Sequence, residues 1–233
     1  MKSTLLTLAT VVLAMISPAA AQTIYTTGHW DISAHEHDGL LELSLHNHEL
    51  ESENPLGSSV ISYDFGASSP TSVSVRDSNS GLLYNLGLLY VSPEDEIAAD
   101  ASAMPFIGFS AEELASPFTG TVTFTMTGFT YTGSGTGNFY LFEGTSLFWD
   151  SSAGVGNYGS FSVNVGSHGH GEFGFSDLGL YEITLQASGN DGSPVSGESA
   201  TFRFDVVPEP TCGALLLTAF SVGMSLRRRF FRS

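Results

Sequence analysis

Short runs in which every second residue is apolar, broken by Gly, Ser, Asn and Asp, recur along the chain and constrain it to strands joined by turns. Leu41, Leu43 and Leu45 alternate with Glu42, Ser44 and His46. From Thr121 to Thr127, threonine alternates with Val122, Phe124 and Met126. Tyr181, Ile183 and Leu185 repeat the pattern, as do Phe202, Phe204 and Val206. Side chains two apart on a strand share a face, so each run offers one apolar face to a core and one polar face to water. Helical signals are few. Ser92-Pro93-Glu94-Asp95-Glu96, with serine as a cap and proline in the first turn, and Ser110-Ala111-Glu112-Glu113-Leu114 read as short helix starts on connections. The expected fold is all-β, an antiparallel two-sheet β-sandwich with short connecting helices. Gly133-Ser-Gly-Thr-Gly-Asn138 reads as a flexible turn, since a phosphate loop needs a lysine and a following helix.

The two ends have a different character. Met1-Lys2, the apolar stretch from Leu5 to Ile16 and Ser17-Pro18-Ala19-Ala20-Ala21 have the basic start, apolar middle and small-residue cleavage site of a secretory signal peptide over residues 1–21. At the other end, over residues 207–233, Val207-Pro208-Glu209-Pro210 precedes an uncharged stretch from Thr211 to Leu226, then Arg227, Arg228, Arg229 and Arg232. The apolar part is shorter than the roughly 20 residues of a relaxed membrane span, and the arginines favour the cytoplasmic side, leaving the preceding chain outward. This tripartite tail resembles the PEP-CTERM sorting signal that exosortase systems of Gram-negative bacteria read on exported proteins. The resemblance implies a sorting helix, a signal peptidase and an exosortase-type enzyme as processing partners, transient residence in the inner membrane, and a cell-surface or extracellular destination. Residues 22–206 are then the delivered domain.

Charge narrows the partners of that domain. Between residues 22 and 207, Arg76 and Arg203 are the only Lys or Arg, whereas all but Glu209 of the 24 acidic residues lie there. So acidic a surface repels nucleic acid and other polyanions and attracts cations, though the same acidity also serves solubility. Cys212, the single cysteine, falls in the tail, so the domain has neither disulfide nor thiol chemistry.

Six of the seven histidines occur as His-x-His pairs: His35-Glu36-His37, His46-Asn47-His48 and His168-Gly169-His170, with His29 the seventh. On a strand each pair presents two imidazoles on one face. With Asp31, Glu36, Asp38, Glu42, Glu49 and Glu172 close by in sequence, this is a donor set for zinc built from histidine and carboxylate. The competing reading is of solvated histidines on the wet face of a strand, as for His46 and His48 opposite Leu41, Leu43 and Leu45. The metal reading requires the remote pair to fold back onto the N-terminal ones.

Gly28-His29-Trp30-Asp31-Ile32, then Asp38-Gly39-Leu40-Leu41-Glu42-Leu43, resembles the opening of the surface-anchored "choice-of-anchor M" domain family. His168-Gly-His170-Gly-Glu172-Phe173-Gly-Phe175-Ser176, then Gly179-Leu-Tyr181, is similar to that family's closing signature. Residues 54–161 match it only in strand pattern. Trp30 stands where the family usually has valine, and Glu172-Phe173 where it more often has Asn-Trp. The resemblance implies a bacterial surface domain associated with metal uptake, and a PEP-CTERM group resembling this chain is under zinc-responsive repression. Its implied ligands are His29, Asp31, His168 and His170. Read from the residues as a metal-binding module, the chain would use His29, His168 and His170 with Asp31 or Glu172, and His35, His37, His46 and His48 as a second or weaker site.

A second class of function stays open. The domain is then a structural or adhesive component of the extracellular matrix, with Trp149, Tyr158 and Tyr140 facing polysaccharide, although the same residues suit a sandwich core. An enzyme is not expected, because neither Gly-x-Ser-x-Gly nor His-Glu-x-x-His occurs and Ser167 beside His168 is sequence adjacency, not a triad.

Overall fold

A computed structural model describes residues 22–207 apart from 51, 55, 57, 58, 66–68, 77–82 and 155. The stretches read as signal peptide and sorting signal lie outside the described residues, including Pro208, Glu209, Pro210 and the terminal arginines. Among the described residues no helix is long and apolar enough to cross a membrane.

The described residues form sixteen strands, numbered along the chain, in three sheets. The first sheet runs β1 (Thr23–Tyr25), β5 (Ser59–Asp64), β16 (Pro194–Val207), β15 (Gly179–Asn190), β9 (Thr121–Gly133) and β12 (Ser160–Asn164). The second runs β13 (His168–His170), β8 (Phe106–Ser110), β2 (His29–His37), β3 (Leu40–Asn47) and β4 (Ser52–Asn54). The third closes on itself through β10 (Phe139–Glu143), β11 (Ser146–Asp150), β6 (Thr71–Arg76), β7 (Leu83–Val91) and β14 (Glu172–Phe175).

The all-β class is as expected, but the arrangement differs from two antiparallel sheets. A third sheet is present, and β1–β5, β5–β16, β2–β8 and β6–β11 pair in parallel. Alternation says which face of a strand is apolar but not which strand lies beside it. The parallel partners β2 and β8 are separated by a connection that carries five other strands, a separation no local pattern reports.

The alternating runs do form the core. Val122, Phe124, Met126, Tyr181, Ile183, Leu185, Phe202, Phe204 and Val206 are buried on the first sheet, and β15 and β16 lie across β3 of the second. From the second sheet Trp30, Ile32, Ala34, Leu41, Leu43 and Leu45 face them. Burying such an aliphatic or aromatic side chain contributes about 1.5–3 kcal/mol each. Trp149, Tyr158 and Tyr140 are also buried, and Trp149 stands edge-on to Phe109 at 5.2 Å, so these three rings are not available to polysaccharide. Their size and apolar faces are spent on the core.

Of the two expected helix starts, one is realised. α1 (Glu96–Ser102) begins one turn later than its proline, with Asp95, not Ser92, accepting the Ala98 N–H at 2.7 Å. Ser110–Leu114 is not helical. Ser110 is taken into β8 by pairing with Ser33 and His168, and residues 111–114 make a turn that buries Ala111 and Leu114 and leaves Glu112 and Glu113 projecting.

Two local devices fix a strand turn and a strand start. The β2–β3 hairpin turns through Asp38 and Gly39, both at positive φ (52° and 81°), the geometry that matches strand twist in a two-residue turn. At the start of β15, the Tyr181 hydroxyl donates to the Asp177 carbonyl at 2.7 Å, while the Asp177 carboxylate accepts from Ser176 and from the Gly137 N–H. Although its partial burial works against ionisation, these hydrogen bonds hold the Asp177 carboxyl below its ordinary 3.8. A lowered acid stabilises the fold above its unfolded value, and that contribution is lost as pH falls through the folded value. Thermal melts below about pH 3.8 are therefore expected to lose part of their acid sensitivity in Asp177→Asn.

Candidate metal centre

β2 is apolar on one face through Trp30, Ile32 and Ala34, and it turns His29, Asp31, Ser33 and His35 to the other. Pairing sets what lies beside them. Asp31 is opposite His46 of β3 and Gly108 of β8, and Gly108 is in turn opposite His170 of β13. Ser33 is opposite Ser44 and Ser110, and Ser110 is opposite His168. The His48 N–H, just past β3, donates to the His29 carbonyl at 3.1 Å, which brings those two residues side by side. The remote pair thus folds back onto the N-terminal histidines through β8, a strand none of whose residues is a histidine.

The rings close over Asp31. His29 stacks on His48 with centroids 4.4 Å apart and lies 5.2 Å from His170, which stacks on Phe106 at 4.3 Å. His168 is 5.1 Å from His170 and 5.8 Å from His48. Asp31 is fully buried although it sits on the polar face of its strand. Its Oδ2 accepts from His48 Nε2 at 2.7 Å, whereas Oδ1 and the His29 Nε2 facing it at 3.6 Å are both buried without a hydrogen-bond partner. That separation is too long for a hydrogen bond. It is close to the roughly 3.4 Å expected between two ligands of one tetrahedral zinc, given ligand bonds near 2.0–2.1 Å.

Burial raises the cost of ionising Asp31, but the imidazoles of His29 and His48 outweigh it and hold the carboxyl below its usual value. Burial likewise works against a charged His29, and the negative Asp31, Glu96 and Glu112 more than offset it, so its pKa is raised. His170 goes the other way. Burial, reinforced by the neighbouring histidines, lowers its pKa despite Asp31. The group therefore contains a carboxylate held charged and an imidazole held neutral, the forms in which both bind metal.

Among the described residues, two sets of three donors lie with their atoms within 4.8 Å of one another: His29, Asp31 and His170, and Asp31, His48 and Glu112. His168 joins them through Glu112, whose carboxylate is 2.7 Å from Nδ1, leaving Nε2 to serve as a ligand. Of the residues expected from sequence, His29, Asp31, His168 and His170 come together, and His48 belongs with them instead of with a separate site. Glu172 does not. The chain leaves the second sheet at Gly171, so Glu172 pairs with Phe142 in the third sheet, where burial first, and then Glu94 and Glu143, raises its pKa. His35 and His37 lie further along β2, near Glu42 and Asp38 at 3.7 Å each, and His46 is 3.6 Å from Glu113. The expected second site is thus divided: His46 stays beside His48, with ring centroids 5.2 Å apart, while His35 and His37 lie further along β2.

Glu112 and Gly108 were not singled out by sequence. Glu112 read as part of a helix start, and only the turn that replaces the helix aims it at His168. Gly108 works by what it lacks: a Cβ there would sit 2.6 Å from His170 Cε1 and 2.7 Å from its Nδ1, and would collide with Asp31 Oδ1. Its bare backbone is the gap across which aspartate and histidine meet. Comparison with family models, with curated proteins and with solved structures returns no match.

Proposed function

We propose that this protein is a metal-binding surface module that captures zinc through His29, Asp31 and His170, with His48, His168 and Glu112 around them. The observation that carries the reading is the buried, unpartnered pair of Asp31 Oδ1 and His29 Nε2, held at ligand-to-ligand spacing. Neutral imidazole and carboxylate suit zinc, and zinc would supply the positive charge that the buried carboxylate lacks. Export and surface delivery rest on the terminal sequences: a secretory leader over residues 1–21 and a PEP-CTERM-like tail after Val207, processed by a signal peptidase and an exosortase-type enzyme. In this reading the acidic exterior draws cations toward the cluster.

Calorimetric titration with zinc is expected to show saturable binding above chelator controls. Because zinc binds the folded chain preferentially, a free concentration of 100 times Kd adds about 2.7 kcal/mol of stability, visible as a raised Tm. Titration without heat and melts unmoved by zinc would refute the reading.

Acid opposes binding with a definite sign. Zinc must displace any proton on His29, whose pKa is raised above the ordinary 6.5, so affinity is expected to decline as pH falls through a window that opens above that value. His170, with its lowered pKa, does not contribute to that first loss. Affinity measured from pH 8 downward in His29→Gln, where this competition is gone, tests the assignment.

A further inference from the structure

We infer that the cluster holds two divalent ions, bridged by the carboxylate of Asp31. This rests on the reading above that the cluster binds metal, and it adds how many ions and in what arrangement. The two donor sets have one residue in common, Asp31, and its two oxygens are divided between them: Oδ1 faces His29 Nε2 at 3.6 Å and Oδ2 faces His48 Nε2 at 2.7 Å. A carboxylate that presents one oxygen to each of two imidazoles is arranged as a bridge, not as a ligand to a single centre.

The rings agree with a bridge. His29 and His48 stack with an interplanar angle of 25°, so their lone pairs run side by side toward different oxygens instead of converging on one point. The backbone bond from His48 N–H to the His29 carbonyl fixes that pairing. His170 completes the set that contains His29, and Glu112 the set that contains His48. Opening the 2.7 Å His48–Asp31 contact to ligand spacing takes a movement of roughly 0.7 Å. Glu112 reaches the site from the 111–114 turn.

Space for a second ion and its water lies on the same side. A polar cavity of about 240 Å³, lined by Ser33, His46, His48, Ser110, Glu112 and Glu113, borders the His48 and Glu112 donors. Its hydroxyls and carboxylates suit hydrating water. Charge is also sufficient, since Glu112, Glu113 and Glu96, 3.9 Å from His29 Nδ1, add to Asp31 around the pair. The ions that fit are of the borderline class, zinc or cobalt, held about 3.5–4 Å apart as in other carboxylate-bridged pairs.

The test uses the full chain, purified in detergent and loaded with cobalt(II), which takes zinc's ligands and carries unpaired electrons. Native mass spectrometry is expected to count two ions, and electron paramagnetic resonance to show them magnetically coupled. Glu112→Gln and His170→Ala should each drop the count to one and restore an uncoupled signal, while His35→Ala and His37→Ala leave two. Circular dichroism establishes that each variant is folded, and the count and coupling of the parent chain stand whatever the variants do. One ion at saturation, or two without coupling, overturns the bridged pair but keeps the metal-binding reading. No ion at all overturns both.

Discussion

Zinc affinity is expected to fall by about 100-fold or more in Asp31→Asn, measured by competition with a chromogenic chelator. Replacing groups that merely support a ligand costs 10–100-fold, and Asp31 is the donor on which both sets converge. Asparagine keeps nearly the same volume, and its carbonyl oxygen can still accept from His48, so the fold is expected to survive the change. What disappears is the negative charge. That charge is fully buried and is held ionised by His29 and His48, so no solvent replaces it when it is gone. An unchanged affinity would remove Asp31 from the site and with it the proposed function.

Gly108→Ala is expected to damage both the site and the fold, by inserting a methyl group where Asp31 and His170 meet. Neither neighbour can easily give way. Asp31 is enclosed by imidazoles, and His170 is stacked on Phe106. Overpacking of this kind costs about 1–3 kcal/mol, and the displaced ligands are expected to lose at least about tenfold in zinc affinity. Gly189→Ala is the matched control. A Cβ there meets side chains at 3.4–3.8 Å, ordinary contact distance, so Tm and affinity should stay near those of the parent. If Gly108→Ala behaved like the control, the close approach of aspartate and histidine would not matter to the site.

How far the site was legible depends on how far apart in the chain its parts lie. The pairing of imidazoles on one face follows from alternation alone, and His29 with Asp31 and His168 with His170 could be placed two by two without a structure. Closeness in sequence misled at Glu172. Residues 168, 170 and 172 would share a face on one continuous strand, yet the chain changes sheets at Gly171, where a Cβ would press against Leu141 and the Phe142 carbonyl. His48 does lie beside His46, as the His-x-His spacing indicates, but local spacing gave no sign that it also meets Asp31 and His29. Glu112 carried no signal because a serine followed by two glutamates looks like a helix start, and the pairing of Ser110 in β8 overrides that propensity.

The sequence by itself determined the strand class, the face each strand buries, the acidic charge and the supply of imidazoles, because these depend on residue type and on a period of two. Only the tertiary structure decided that β8 lies between β2 and β13, parallel to one and antiparallel to the other, with a glycine at the crossing point. That placement joins residue 31 to residue 170 across nearly the whole domain. Long-range pairing is chosen by the packing of all three sheets together, which no local window of sequence contains, and the histidine–carboxylate cluster is a product of that choice.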